Sequence, residues 1–374
     1  MSDVRMENLA KVLVQYSTSV QPGDRIAILA QPVAMPLIEQ VYSEILNAGG
    51  FPYYLVGGMR TRVETDRLAY LLFTKGNDEQ IQHVHEFEKK IHEEFEGMII
   101  LYSQDNTRAL SNVPPNKQSD RAKAFTDVTK IYQARSASGD FKWVISMYPT
   151  RAYAQDAEMS LLEFEEYVYR TTFADTDDAV GAWNVIHDEQ QQLVEWLKDK
   201  KHLEVKGPNV DLKLSIEGRS FINSDGHKNM PSGEIYTSPV ENSTEGWVRF
   251  TYPAVRDSRE VEGIELYFEE GKVTKATATK NEEYLTSMLD TDEGARYLGE
   301  FAIGTNKRIN RFIKSILFDE KIGGTIHMAV GYGFLEAGSK NESAIHWDMI
   351  CDMRDGGQIH VDGDLFYDSG EFKI

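Results

Sequence analysis

Apolar and polar positions follow one rhythm in the first half of the chain and another in the second. Residues 4–19 place apolar side chains at helical spacing, Pro22-Gly23-Asp24 reads as a turn, and Arg25–Ala30 is a continuous apolar run of strand length. Met35–Ala48 resumes the helical period and stops at Gly49-Gly50, and the aromatic stretch Phe51–Val56 follows as a strand. Gly97–Tyr102 and Lys142–Tyr148 are predicted as two more strands, separated by charged helix-like stretches such as Asp78–Glu96. Strands joined by connections of helical length pair in parallel and are covered on both faces, so an open, mainly parallel α/β domain is predicted here.

After two further helical patterns, Leu161–Tyr169 and Ala182–Lys198, the period shortens. Val210–Ile216, Gly246–Tyr252, Gly263–Phe268 and Lys272–Ala278 alternate and follow one another closely, which predicts antiparallel pairing. The change near residue 200 sets the expected domains, 1–200 and 201–374. A chain of 374 residues, 41% of them hydrophobic, is long enough for two separate cores.

Charge and cysteine content narrow the function. A net charge of -20 repels phosphate backbones and anionic lipid, which argues against nucleic-acid or membrane partners. No apolar run approaches the ~20 residues needed to span a bilayer. The single cysteine, Cys351, excludes an intramolecular disulfide framework, and the first residues carry acids where a secretory signal places lysines before an apolar core. A soluble, cytoplasmic protein is the expectation.

No phosphate-cradling G-x-x-x-x-G-K-[ST], dinucleotide G-x-G-x-x-G, G-x-S-x-G or H-E-x-x-H motif is present. Cys351 lies in the apolar stretch 349–353 and reads as a core cysteine rather than a nucleophile. What remains is a set of imidazoles and carboxylates in the second half. In His346-Trp347-Asp348 the two polar side chains share one face of an extended strand, while Trp347 and Met349 take the other. His327 sits in an apolar strand-like run ending in Gly331, Glu234 follows the turn Pro231-Ser232-Gly233, and Leu298-Gly299-Glu300-Phe301 reads as lying near the end of a helical segment. Each alone has an ordinary reading, as a core histidine or a solvated acid. Together they suit a divalent transition metal, or a pair, and point to a metallohydrolase.

At this point the blocks Asn229–Pro239, Arg296–Glu300, Ile326–Gly331 and His346–Met349 resemble, in order, those of the aminopeptidase T family, the metalloaminopeptidases that also include aminopeptidase S. Tyr148-Pro149-Thr150, Ala154-Gln155 and Met159-Ser160-Leu161 resemble the family's interdomain segment. The resemblance implies a carboxy-terminal α+β catalytic domain holding two divalent metals, zinc or cobalt foremost and manganese or magnesium as alternatives, in a homodimer that takes single residues from peptide N-termini. It places the metal ligands on Glu234, Glu300, His327, His346 and Asp348. By general acid–base chemistry a glutamate not engaged on both metals, Glu234 or Glu300, is the candidate to take a proton from water. Which carboxylate bridges the metals is left open.

One position departs from the family pattern. Phe334 stands where the family has a catalytic tyrosine, and Tyr332, two residues earlier, is the candidate to supply the hydroxyl. Two rival readings follow. His327, His346 and Asp348 also compose the facial triad of a mononuclear iron(II) ring-cleaving dioxygenase, which the same fold accommodates. Phe334 also permits a catalytically impaired metal- or peptide-binding homologue. Glu241 and Glu245 are read as loop acids, with the substrate's ammonium group as their other use.

Overall fold

The four apolar runs of the first half lie side by side as β1 (Arg25–Ala30), β2 (Phe51–Val56), β3 (Gly97–Tyr102) and β4 (Lys142–Met147). The computed structural model, which describes residues 3–58, 63, 65–256 and 259–374, orders them β2-β1-β3-β4, and every pairing is parallel. The helix Met35–Asn47 returns the chain from β1 to β2, burying Leu37, Ile38, Val41 and Ile45 at helical spacing. The charged stretch after residue 77 divides into two short helices, Asp78–Gln82 and Glu86–Glu94. Two more, Pro115–Ala124 and Thr126–Ala137, lie between β3 and β4 and carry no clear apolar stripe, so the sequence does not announce them.

The chain folds as two compact units, Met1–Asn184 with Gly226–Pro231, and Val185–Asp225 with Ser232–Ile374. The division falls inside the helix Ala179–Leu197, ahead of residue 200.

The second unit is built from antiparallel strands. Eight of them form one sheet: β5 (His202–Gly207), β6 (Val210–Ser215), β9 (Glu245–Arg249), β12 (Glu265–Glu269), β13 (Lys272–Thr277), β17 (Gln358–Val361), β18 (Asp364–Asp368) and β19 (Glu371–Phe372). A second sheet of five holds β7 (Ile222–Ser224), β8 (Glu234–Thr237), β14 (Leu298–Gly304), β15 (Thr325–Gly331) and β16 (His346–Asp352), in the order β16-β15-β14-β8-β7. A small hairpin, β10 (Ala254–Arg256) with β11 (Arg259–Val261), stands apart. Among the described residues, no helix is long and apolar enough to cross a membrane.

Leu298-Gly299-Glu300-Phe301 is thus the start of a strand, not the end of a helix. All seven residues of β14 are buried, and the strand is hydrogen-bonded to β8 on one side and β15 on the other, so tertiary pairing overrides local propensity. Alternation along this sheet then divides its residues between two faces. Ile235, Phe301, Ile303, Ile326, Met328, Val330, Trp347, Met349 and Cys351 join Leu203, Val205, Val248 and Leu266 of the eight-stranded sheet in one core. The residues between them are turned to the opposite face.

Candidate metal centre

That opposite face carries all five residues expected as ligands. Strand register aligns Glu300 with Ala329 and Asp348 in one row, places His327 beside Ala302 in the next, and sets His346 opposite Gly331. Glu234 stands at the head of β8, opposite Gly304. Ala302, Ala329, Gly304 and Gly331 are the residues between the polar side chains, so the floor of the site has almost no side-chain bulk. Trp347 and Met349 point into the core, as a two-residue period requires.

Each glutamate is preceded by a glycine for a steric reason. Gly233 has φ +117, and a Cβ there would stand 2.6 Å from Asn306 Cβ. A Cβ on Gly299 would stand 2.1 Å from the Tyr332 carbonyl oxygen. The backbone of both strand starts therefore approaches a neighbouring loop too closely for any side chain, and that approach delivers Glu234 and Glu300 into the interior.

The donor atoms converge. His327 Nε2 lies 3.2 Å from Glu234 Oε2 and 3.7 Å from Glu300 Oε1, while His346 Nε2 lies 3.1 Å from Glu300 Oε2 and 3.4 Å from Asp348 Oδ1. Glu300 thus presents one oxygen to each imidazole. Glu300, His327 and Asp348 bring one donor atom each within 4.8 Å of one another. His346 Nδ1 donates to the Tyr332 carbonyl at 2.8 Å, which orients the ring and directs Nε2 at the carboxylates. The group is enclosed: the His327 side chain is 1% exposed, Glu234 and Glu300 6%, Asp348 14% and His346 25%.

Two participants escaped sequence reading. Glu320 and Lys321 lie in a short charged run before Gly323-Gly324, a pattern that ordinarily marks a solvated turn. Lys321 is instead fully buried, with Nζ 3.1 Å from Glu234 Oε1 and in contact with Glu320. Burial opposes its charge, yet Glu234 and Glu320 hold its pKa above the ordinary lysine value. Burial pushes the Glu320 carboxyl up to about 7 against the pull of Lys321, with Glu234 and Asp348 adding repulsion. Glu320 is therefore electrostatically part of the same cluster. The available signal was the position of this acid on the approach to β15.

The same balance governs the two histidines and Glu300. Burial disfavours the charged His327, but Glu300 and Glu234 raise its pKa to about 9. Burial likewise opposes charge on His346, and Asp348 and Glu300 overcome it, raising its pKa well above the ordinary histidine value. Against its own burial, Glu300 is held far below the usual carboxylate range by hydrogen bonds from His327 and His346.

An aromatic group borders His346. The Phe334 ring centroid lies 5.0 Å from that of His346 and 5.0 Å from that of Tyr236, and the Phe334 N–H donates to Ser238 Oγ at 3.0 Å. Tyr332 contributes its backbone carbonyl to His346, and its ring centroid is 6.3 Å from that of Phe334. Glu241 is occupied elsewhere: it accepts from Arg219 at 2.6 Å and from the Lys340 N–H at 2.7 Å. Glu245 accepts from the exposed Glu270 N–H.

These residues fit a bound metal. Glu234 Oε2 and Asp348 Oδ1 are buried and make no well-formed hydrogen bond; each faces an imidazole Nε2, at 3.2 and 3.4 Å, an arrangement of donors that a cation between them would satisfy. First-row ions bind such donors at about 2.0–2.2 Å, which sets two donors on one ion roughly 3–3.5 Å apart, close to the separations found here. A facial triad needs one carboxylate. Here Glu234 and Glu300 both turn to His327, a donor surplus that disfavours the mononuclear dioxygenase reading.

Comparison with known proteins agrees. Residues 2–372 match the model of the thermophilic metalloprotease (M29) family. The chain is similar to Aminopeptidase 2 of Geobacillus stearothermophilus, at 24% identity over 96% of this chain and 93% of that protein. It is also similar to Aminopeptidase T of Thermus thermophilus, at 26% identity over 98% and 95%. The solved structure of wild-type AmpT from Thermus thermophilus shares the fold, with a TM-score of 0.85, 22% identity and 99% of each chain covered.

Proposed function

Because the chain belongs to the thermophilic metalloprotease (M29) family, we propose that the centre on the five-stranded sheet is that of a metal-dependent aminopeptidase releasing N-terminal residues from peptides. The observation that carries the reading is the convergence of the buried donor atoms of Glu234, Glu300, His327, His346 and Asp348 on one another.

Two divalent ions, zinc or cobalt foremost, suit the cluster. Glu234, Glu300 and His327 would hold one, and Glu300, His346 and Asp348 the other. With neutral imidazoles, Glu234, Glu300 and Asp348, joined by a partly ionised Glu320, outweigh the single ammonium of Lys321, so the cluster is net negative and attracts cations. A pair of divalent ions supplies a hydroxide at neutral pH and polarises the scissile carbonyl.

The chain's own residues do the rest. Glu234 or Glu300 would take the proton of the attacking water, and Glu320, in contact with Lys321, which also pairs with Glu234, is a further carboxylate at the site. Lys321 holds Glu234 and Glu320 in place through direct contact. Enclosure of the ligands excludes bulk water and strengthens each of these interactions.

The homodimer and the cytoplasmic setting belong to the same proposal. Cys351 as a buried free thiol accords with a reducing compartment. Elemental analysis of freshly purified protein, together with turnover of an aminoacyl-p-nitroanilide panel after zinc or cobalt loading, tests the function. Two ions per chain with hydrolysis are expected; a single iron with oxygen uptake would overturn it. Sedimentation equilibrium tests the dimer.

A further inference from the structure

The reaction needs a neutral donor for the oxyanion that develops on the scissile carbonyl, and Phe334, beside His346, has no hydroxyl to give. We infer that Tyr236 supplies it, as a catalytic residue that donates its phenolic O–H to the tetrahedral oxyanion; the inference rests on the aminopeptidase reading above.

The placement is set by the sheet. Tyr236 lies two residues beyond Glu234 on β8 and so shares its face, and its cross-strand partner Ala302 is in turn the partner of His327. Glu300 is the diagonal neighbour, about 7–8 Å away across the pair, within reach of a side chain as long as tyrosine. Ala302, the residue between Tyr236 and His327, puts only a methyl group between them. The Tyr236 ring packs against Phe334 at 5.0 Å, and Phe334 packs against His346 at 5.0 Å, so one aromatic ring separates the Tyr236 ring from the most exposed of the candidate ligands. Phe334 is fixed there by its N–H bond to Ser238, whose Oγ also donates to the Gly299 carbonyl at 2.6 Å, next to Glu300.

The hydroxyl is free to change partner. It donates to Glu336 Oε1 at 3.4 Å, a long contact to a residue on an exposed turn. A phenol, with an ordinary pKa of about 10, keeps its proton at neutral pH, so Tyr236 acts as a hydrogen-bond donor and no bond to hydrogen breaks in this step.

The test compares wild type, Y236F and Y236F/F334Y after cobalt loading. Readouts are kcat and KM on leucyl-p-nitroanilide, calorimetric binding of leucinephosphonic acid, a tetrahedral oxyanion mimic, and metal content. Removing one oxyanion donor is expected to lower kcat by about 100-fold or more in Y236F, with KM within a few-fold and metal content unchanged. Affinity for the phosphonate should fall at least tenfold. The double variant, which returns a hydroxyl across the ring contact, should recover at least tenfold of the lost kcat. Y236F within threefold of wild type in both kcat and phosphonate affinity overturns the inference, as does a loss traced to missing metal. A wild type that binds the phosphonate through Tyr236 yet cleaves no aminoacyl substrate would refute the peptidase reading and leave this contact standing.

Discussion

Loading the centre with zinc at pH 7 should expel protons, and the number follows from the structure. His327, with a pKa of about 9 in the metal-free site, is about 99% protonated at pH 7, and His346 is shifted in the same direction. A metal needs the neutral imidazole, so each must lose its proton on binding. For His327 the gap between pH 7 and about 9 weakens apparent affinity by about 100-fold, or about 2.7 kcal/mol. The sign is fixed by linkage: a raised imidazole pKa stabilises the metal-free fold fully below the unfolded value of 6.5, and that contribution is lost as pH rises through about 9. Metal binding should therefore strengthen from pH 6 towards pH 9, by about tenfold per pH unit for each imidazole displaced. Titration calorimetry in buffers of differing ionisation heat counts the protons directly; about two or more per fully loaded chain are expected at pH 7. Release of none, or an affinity that is flat with pH, would refute the view that these carboxylates hold both imidazoles charged.

Three further outcomes are expected. His346→Ala with Asp348→Ala should lose at least one metal and all peptidase turnover while circular dichroism stays native, because the core face of β16 is untouched; retained stoichiometry would rule out their role as ligands. Gly233→Ala should destabilise the protein by about 2–4 kcal/mol in urea unfolding, since its φ of +117 and the 2.6 Å approach to Asn306 Cβ leave no room for a methyl group; an unchanged midpoint would contradict the steric account. Lys321→Met should cost the metal-free protein about 3–5 kcal/mol by leaving Glu234 and Glu320 without their ammonium partner, with much of that loss restored by zinc; equal stability of variant and wild type would show the buried lysine to be dispensable.

The sequence revealed whatever is written in short-range periodicity. β1, β2 and β3 appear at their expected residues because continuous apolar runs bounded by glycine and charge leave little alternative, and the His346/Asp348 alternation follows from the two-residue repeat of a strand. Glu300 was misplaced because Leu298-Gly299-Glu300-Phe301 has no intrinsic strand signal; its neighbours in β8 and β15 impose the conformation. Lys321 was invisible for a related reason. A lysine is read as solvated unless its partners are known, and Glu234 is far away in the chain. The helices Pro115–Ala124 and Thr126–Ala137 lack an amphipathic stripe to reveal them.

The graded enclosure of the cluster has a kinetic corollary. His327, Glu234 and Lys321 lie at its sealed end, whereas His346 is a quarter exposed. Under the proposed two-metal reading, ions at those two ends should exchange with solvent at unequal speeds, the outer one leaving first under a chelator. A half-stripped intermediate retaining its inner ion should then persist long enough to isolate, and a spectroscopically distinct second metal could be introduced at the outer position alone.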